Sequence, residues 1–262
     1  MTTIVDTVTF DAAFWLLAAI VFVAGAARGM SGFGTGMIIA PVAGALYGPQ
    51  VALAVIVLID SLPSIPVTIP ALKIARWREV LPVVAGIALL LPAGVYLVRV
   101  GDPVILRWAI CVAILACVAV LWSGWRYGGP RNTPVSLAVG GVAGVLSGIA
   151  SIPGPPVIFY WMSAGLPAVI VRANLLALFL CGEFLSIGNL WWAGLFTREA
   201  LGLSLFAAPP YFLGLIIGAR LFGLASEAVY RRVTFMLIVI SALLALPPLA
   251  DAIGDLVAAT PT

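Results

Sequence analysis

The chain has 262 residues, 63% of them apolar and only 9% charged, with a formal net charge of +3 and no histidine. A soluble domain carries about 25% charged residues, so a water-soluble fold of this length is excluded. So is histidine acid–base or metal chemistry. The apolar runs are long and do not alternate as the roughly ten-residue strands of an outer-membrane barrel do. The fold class expected is all-α, a polytopic helical membrane protein surrounded by a lipid bilayer.

Residues 1–10 are acidic and polar and lack the positive n-region of a signal peptide. The first membrane segment is therefore placed at 12–28. Further apolar segments follow at 32–46, 51–72, 80–98, 104–125, 134–150, 153–165, 169–193, 201–219 and 232–250. Crossing about 30 Å of hydrocarbon takes about 20 helical residues. Segments 32–46 and 153–165 fall short and read as steep short helices, half-helices or parts of re-entrant hairpins. Full crossings throughout give ten; hairpins reduce the count to about eight and leave both termini on one side.

Charge supplies an orientation. Lys73, Arg76 and Arg78, then Arg126 and Arg131, then Arg220, Arg231 and Arg232 fall on one side, with Arg28 and Arg172. The positive-inside rule makes that side cytoplasmic. Asp6, Asp11, Asp251 and Asp255 then lie outside with both termini. This bias accounts for the net charge and points to no nucleic-acid partner. Cys111, Cys117 and Cys181 lie in apolar runs without metal-ligand spacing, so neither a metal nor a cofactor is expected.

Two stretches organise the chain. Ser31–Pro41 reads SGFGTGMIIAP and Ser147–Val157 reads SGIASIPGPPV, their Ser-Gly pairs 116 positions apart. Gly25 matches Gly141, Gly94 matches Gly214, and Arg78-Glu79 matches Arg198-Glu199. The chain thus reads as one unit written twice, over 1–126 and 127–262, with about five segments in each. An odd number of crossings per copy makes the repeat inverted. Paired Gly/Pro interruptions in two such halves are a pointer to a transporter's binding site.

The order of motifs resembles the sulfite exporter TauE/SafE family of membrane permeases, over about residues 14–250. The resemblance rests on Gly25, Ser31-Gly32, Gly34, Gly36 and Pro41, and on KIARWREV at Lys73–Val80. It continues through Ser147-Gly148, Gly154-Pro155-Pro156, Gly218-Ala219-Arg220-Leu221 and Arg231-Arg232. It implies movement of a small anion, chiefly sulfite, a sulfonate or a related organic anion, across the bacterial cytoplasmic membrane. The family's run of three glycines is Gly34-Thr35-Gly36 here, and in the second copy it is largely replaced by Ala150–Gly154. Substrate identity therefore does not carry over.

Four glycines between Gly29 and Pro41 let the backbone leave the helix and uncover its N–H groups. Successive N–H groups at a helix start form an anion site. The candidate substrate-binding residues are Ser31, Gly32, Gly34, Thr35 and Gly36 in the first copy, and Ser147, Gly148, Ser151 and Gly154 in the second. Close helix packing through small residues is the rival reading. Arg28 and Arg172, with Asn174 beside the latter, are the cationic candidates for clamping an oxyanion; snorkelling at the interface is their alternative. Asp60 and Glu183 occupy matching places in segments three and eight, where ionisable groups are costly and face an interior or wet cavity. Each is a candidate to carry a coupling proton; capping a broken helix or pairing with an arginine is the alternative. Pro63, Pro66 and Pro70 predict an interruption of the helix that holds Asp60. Ser61, Ser64, Asn174 and Asn189 could share the polar network. Tyr160 and Trp161 follow the second break closely enough to border a pocket, while most tryptophans lie near segment ends as an interfacial belt.

No Walker motif, HExxH or selectivity-filter repeat is present, and the serines have no histidine to activate them. An enzyme is not expected. The function these features point to is secondary transport of a small anion, with one copy rocking against the other. An anion channel or a non-transporting scaffold is the alternative. The substrate, direction of transport, coupling ion and any homo-oligomer are left open.

Overall fold

In the structure, a computed structural model, residues 8–31, 33–123, 127–162, 166–221, 236–243 and 246–249 are described. The described residues form an all-α bundle with no strand. Its helices are α1 (Ala12–Ser31), α2 (Thr35–Tyr47), α3 (Pro49–Leu72), α4 (Trp77–Val100), α5 (Pro103–Ser123), α6 (Thr133–Ala150), α7 (Gly154–Met162), α8 (Ala168–Ala193) and α9 (Arg198–Leu221). Residues 236–243 are helical as well. They belong to the expected tenth segment, the rest of which lies largely outside the described residues.

Polar side chains start these helices where the apolar runs begin. Asp11 accepts the Phe14 N–H at 2.9 Å, Asp102 those of Val104 and Ile105 at 2.9 and 3.0 Å, Asn132 that of Val135 at 3.1 Å, and Thr197 that of Ala200 at 3.1 Å. Each satisfies first-turn donors that the helix leaves unbonded. The start of α4 is capped from a distant helix: Asn174 on α8 accepts the Arg76 N–H at 2.7 Å.

Six helices among the described residues are long and apolar enough to cross a membrane: α1, α4, α5, α6, α8 and α9. The 13 residues of α2 and nine of α7 span only about 20 and 14 Å at 1.5 Å per residue, short of the hydrocarbon thickness. These are the two short segments expected from the sequence. Large apolar side chains stay outward across the long helices, among them Leu89, Ile105, Phe184, Trp191 and Trp192. A bilayer makes such exposure cheap.

The expectation of a broken third helix is corrected. The backbone of α3 is helical from Pro49 to Leu72, through Pro63, Pro66 and Pro70. Proline removes a donor and crowds the preceding turn, but membrane helices tolerate it because neighbouring groups satisfy the freed carbonyls. The true breaks fall between Ser31 and Thr35 and between Ala150 and Gly154. Among the described residues each carries one left-handed residue, Gly34 at φ 105° and Ser151 at φ 55°.

The two most extensive pairings are α1 with α9, from opposite ends of the described chain, and α4 with α6, from its middle. Both are built on glycine. Gly25 meets the backbone of Tyr211 and Leu215, Gly29 that of Leu215 and Ala219, and Gly218 that of Ala26. In the other pair Gly86 meets Leu137 and Gly141, Gly94 meets Val145 and Gly148, and Gly144 meets Ile87 and Leu91. The contacts ascend together, so the helices of each pair run parallel. A Cβ on Gly29 would stand 2.7 Å from the Ala219 nitrogen and one on Gly144 2.8 Å from the Ile87 oxygen. Small residues at this spacing let backbones touch, which supplies dispersion where no hydrophobic drive exists between membrane helices.

At one end of the bundle, Gln50 at the start of α3 donates to the Val98 and Arg99 carbonyls at the end of α4, at 3.2 and 3.0 Å. Nearby Tyr47 is within electrostatic reach of Asp11 and Glu199, which precede or open α1 and α9. The α1–α9 pair therefore starts where the α4–α6 pair ends, and the two pairs run in opposite directions. Two apolar cores match them. One joins Leu17, Ile38, Ile56, Leu203 and Tyr211; the other joins Val83, Ile87, Ala143, Trp161 and Leu178.

Candidate functional site

A polar cavity lies where the two breaks meet. Glycine at position 36 makes that meeting possible, because a Cβ there would collide with the Ser151 carbonyl and stand 2.7 Å from that of Ala150. The start of α2 is thereby set against the end of α6. The first intrahelical bond of α2 runs from the Ile38 N–H to the Gly34 carbonyl at 3.0 Å. The N–H groups of Thr35, Gly36 and Met37 precede it, and all three residues line the cavity. The second break is poorer in backbone donors. The Ser151 N–H bonds the Ser147 carbonyl at 2.8 Å, the Ile152 N–H bonds that of Leu146 at 3.3 Å, and Pro153, Pro155 and Pro156 have none. What it contributes to the cavity wall is Gly154 with the serines Ser147 and Ser151.

Charge enters from three other helices. Arg28, near the end of α1, places Nε 2.9 Å from Oδ1 of Asp60 on α3, their side chains 11% and 5% exposed. The guanidinium also lies over the Phe179 ring, 5.7 Å from its centroid, a cation–π contact. Tyr211 on α9 donates its hydroxyl to the same Asp60 oxygen at 2.5 Å, and shares a 3.1 Å hydrogen bond with the Thr35 hydroxyl. Arg28, Asp60, Tyr211 and Thr35 thus form one connected network drawn from four helices. Glu183 on α8 stands on the cavity wall and accepts a hydrogen bond from Ser61 at 3.1 Å. The Ser61 hydroxyl is also hydrogen-bonded to the Val57 carbonyl. About 30 Å³ is open to the centre of a water-sized sphere, room for about two waters.

Of the residues expected from the sequence, Arg28, Gly34, Thr35, Gly36, Ser147, Ser151, Gly154, Asp60 and Glu183 are brought together around this cavity. Others are placed elsewhere. Gly148 packs against Leu91, Gly94 and Val95 of α4, the small-residue alternative. Asn174 is fully buried and caps α4. Arg172 lies near the start of α8 and is not among the cavity-lining residues. Gly32 and the side chains of Ser31 and Ser64 lie outside the described residues. Asn189 bonds its own helix, at the Leu185 carbonyl. Tyr160 pairs with Ser136 at 2.8 Å and Trp161 is buried in the core, away from the cavity. Tyr211 was missed. Its signal was a tyrosine in the middle of an apolar segment, where interfacial belts do not place one.

The fold and cavity define a multi-pass α-helical membrane protein with a buried, donor-rich polar centre. Residues 17–245 match the family described as Sulfite exporter TauE/SafE, and the chain belongs to that family. It is 28% identical over 231 residues to the "Probable sulfite/organosulfonate exporter TauE" of Cupriavidus necator, covering 84% of this chain and 89% of that protein. No solved structure matches the chain. Family and fold together support a general anion-transport function and a transport protein rather than an enzyme.

Proposed function

We propose that the chain is a secondary transporter of a small sulfur oxyanion, sulfite or a sulfonate, working by alternating access in a bacterial cytoplasmic membrane with both termini outside. The observation that carries this reading is the cavity where the two breaks meet. Arg28, the first turn of α2, Ser147 and Ser151 converge there. A helix start and an arginine both favour negative charge. The relative's printed name, a sulfite/organosulfonate exporter, supports the same substrate class.

The two-copy reading, 1–126 and 127–262, is supported by how the helices pair. Under it α1 corresponds to α6 and α4 to α9, so the α1–α9 and α4–α6 pairs are counterparts. Their opposite directions are those an inverted repeat requires. The same pairs alter the expected motion. Glycine-to-backbone contact along both pairs ties each half to the other, so the bodies that move are α1 with α9 and α4 with α6, not copy against copy. The cavity lies between them, and its present size requires widening before an oxyanion enters.

The test is uptake into proteoliposomes of radiolabelled sulfite, taurine, sulfoacetate and thiosulfate, with counterflow against the same unlabelled anion. Saturable uptake of one of them with counterflow is expected. Unsaturable flux without counterflow would make the protein a channel, and no flux of any anion in tight vesicles would overturn the substrate class.

A further inference from the structure

The two carboxylates of the cavity are not equivalent, although the sequence gives them matching places: Asp60 is buried and Glu183 half-buried. Asp60 accepts from Arg28 at 2.9 Å and from Tyr211 at 2.5 Å. Both partners are donors that a carboxylate satisfies as an anion. Glu183 faces the same space with one hydrogen bond, from Ser61 at 3.1 Å, and no cation within ion-pair distance among the described residues. The titratable or charged groups that face it are Arg28 from α1 and Asp60 from α3, and Tyr211 from α9 contacts Asp60 rather than Glu183. The cavity-lining parts of α2, α6 and α7 add none.

With one guanidinium and two carboxylates, the empty cavity holds one excess negative charge when both acids are ionised. An entering monoanion would raise this to two in a site shielded from water, where like charges repel strongly. One proton restores the original balance. A proton on Asp60 would cancel the charge that pairs with Arg28 and strand the guanidinium, whereas Glu183 can take one without breaking an ion pair.

We propose that Glu183 is the single proton carrier of this transporter, while Asp60 and Tyr211 are positioning residues that hold Arg28 toward the anion. The proposal rests on the anion-transport reading above and assigns its coupling. A proton from the water on one side joins the Glu183 carboxylate as the monoanion enters beside Arg28. Both leave to the other side, so each cycle moves one anion and one proton with no net charge.

Two measurements test it. In proteoliposomes, one pH unit corresponds to roughly tenfold accumulation of a monoanion moving with one proton. Taurine and sulfoacetate differ in charge from bisulfite, so labelled sulfite at mildly acidic pH, where bisulfite dominates, is the probe. Glu183→Gln should abolish the gradient-driven accumulation, while sulfite counterflow, which needs no net proton movement, remains measurable with an altered half-saturating concentration. Tyr211→Phe should slow sulfite uptake and counterflow by raising the half-saturating concentration while leaving the pH-driven accumulation ratio near tenfold. Accumulation retained in Glu183→Gln would overturn the assignment. If the wild type moves no sulfite, the substrate reading fails, and the second measurement still judges Glu183. In infrared spectra of the purified protein in lipid, a titrating, buried protonated-carboxyl band is expected in the wild type and absent in Glu183→Gln. A band that persists in that variant, or is missing from the wild type, refutes the proposal.

Discussion

Replacing Asp60 by Asn removes the charge opposite Arg28 while keeping the side chain's shape and an acceptor for the Tyr211 hydroxyl. The pair is 2.9 Å apart and nearly closed to solvent. At an effective dielectric of about 20, the direct attraction is about 6 kcal/mol. Desolvation of both ions offsets most of it, so the pair contributes little net stability. Losing one partner is different, because it strands a buried charge at a cost of about 3–5 kcal/mol. Asn retains the hydrogen-bond geometry, so a loss of ~3 kcal/mol, the lower end, is expected. Removing both charges relieves the stranding. Arg28→Gln with Asp60→Asn should cost at least ~2 kcal/mol less than the two single changes summed. The assay is reversible unfolding in mixed dodecyl maltoside and dodecyl sulfate micelles, followed by the fluorescence of the eight tryptophans. Additive single and double variants, or an Asp60→Asn protein within ~0.5 kcal/mol of wild type, would refute the argument that the Arg28 charge depends on Asp60.

Gly36→Ala should cost about 1–3 kcal/mol by overpacking and weaken sulfite counterflow, since the added Cβ drives α2 away from the Ser151 carbonyl. Gly182→Ala, also on the cavity wall but with open space around it, should leave unfolding unchanged in the same micelles. Asn174→Ala should destabilise by about 1–3 kcal/mol, because the Arg76 N–H at the start of α4 loses its acceptor. Its half-saturating sulfite concentration should stay at the wild-type value; a large rise would return Asn174 to the binding site.

The membrane class was legible because hydropathy is a sum over residues and needs no partner. The short second and seventh helices were legible too, since helix length against bilayer thickness is arithmetic. The paired breaks followed from Gly and Pro, whose backbone restrictions are local. The interruption expected in α3 failed for a related reason: Pro63, Pro66 and Pro70 weaken a helix locally, but whether it breaks depends on what surrounds it.

Partner identity was out of reach of any local rule. Composition placed Asp60 and Glu183 in the membrane but could not say that Asp60 holds Arg28 while Glu183 bonds only Ser61. That difference is set by how each helix is rotated about its axis. For α1 and α9, which carry Arg28 and Tyr211 to Asp60, rotation is fixed by backbone-to-backbone packing at Gly25, Gly29, Gly214 and Gly218. The same packing brings Tyr211 to Asp60, 151 positions away, while the contact of α8 with α4 makes Asn174 the cap of α4 rather than a polar neighbour of the cavity. The sequence by itself determined that this chain crosses a membrane on helices broken at two places rich in Gly or Pro. Only the tertiary structure decided which side chains share the space between the breaks, because glycine contacts between distant helices, and no local preference, set the register in which those side chains meet.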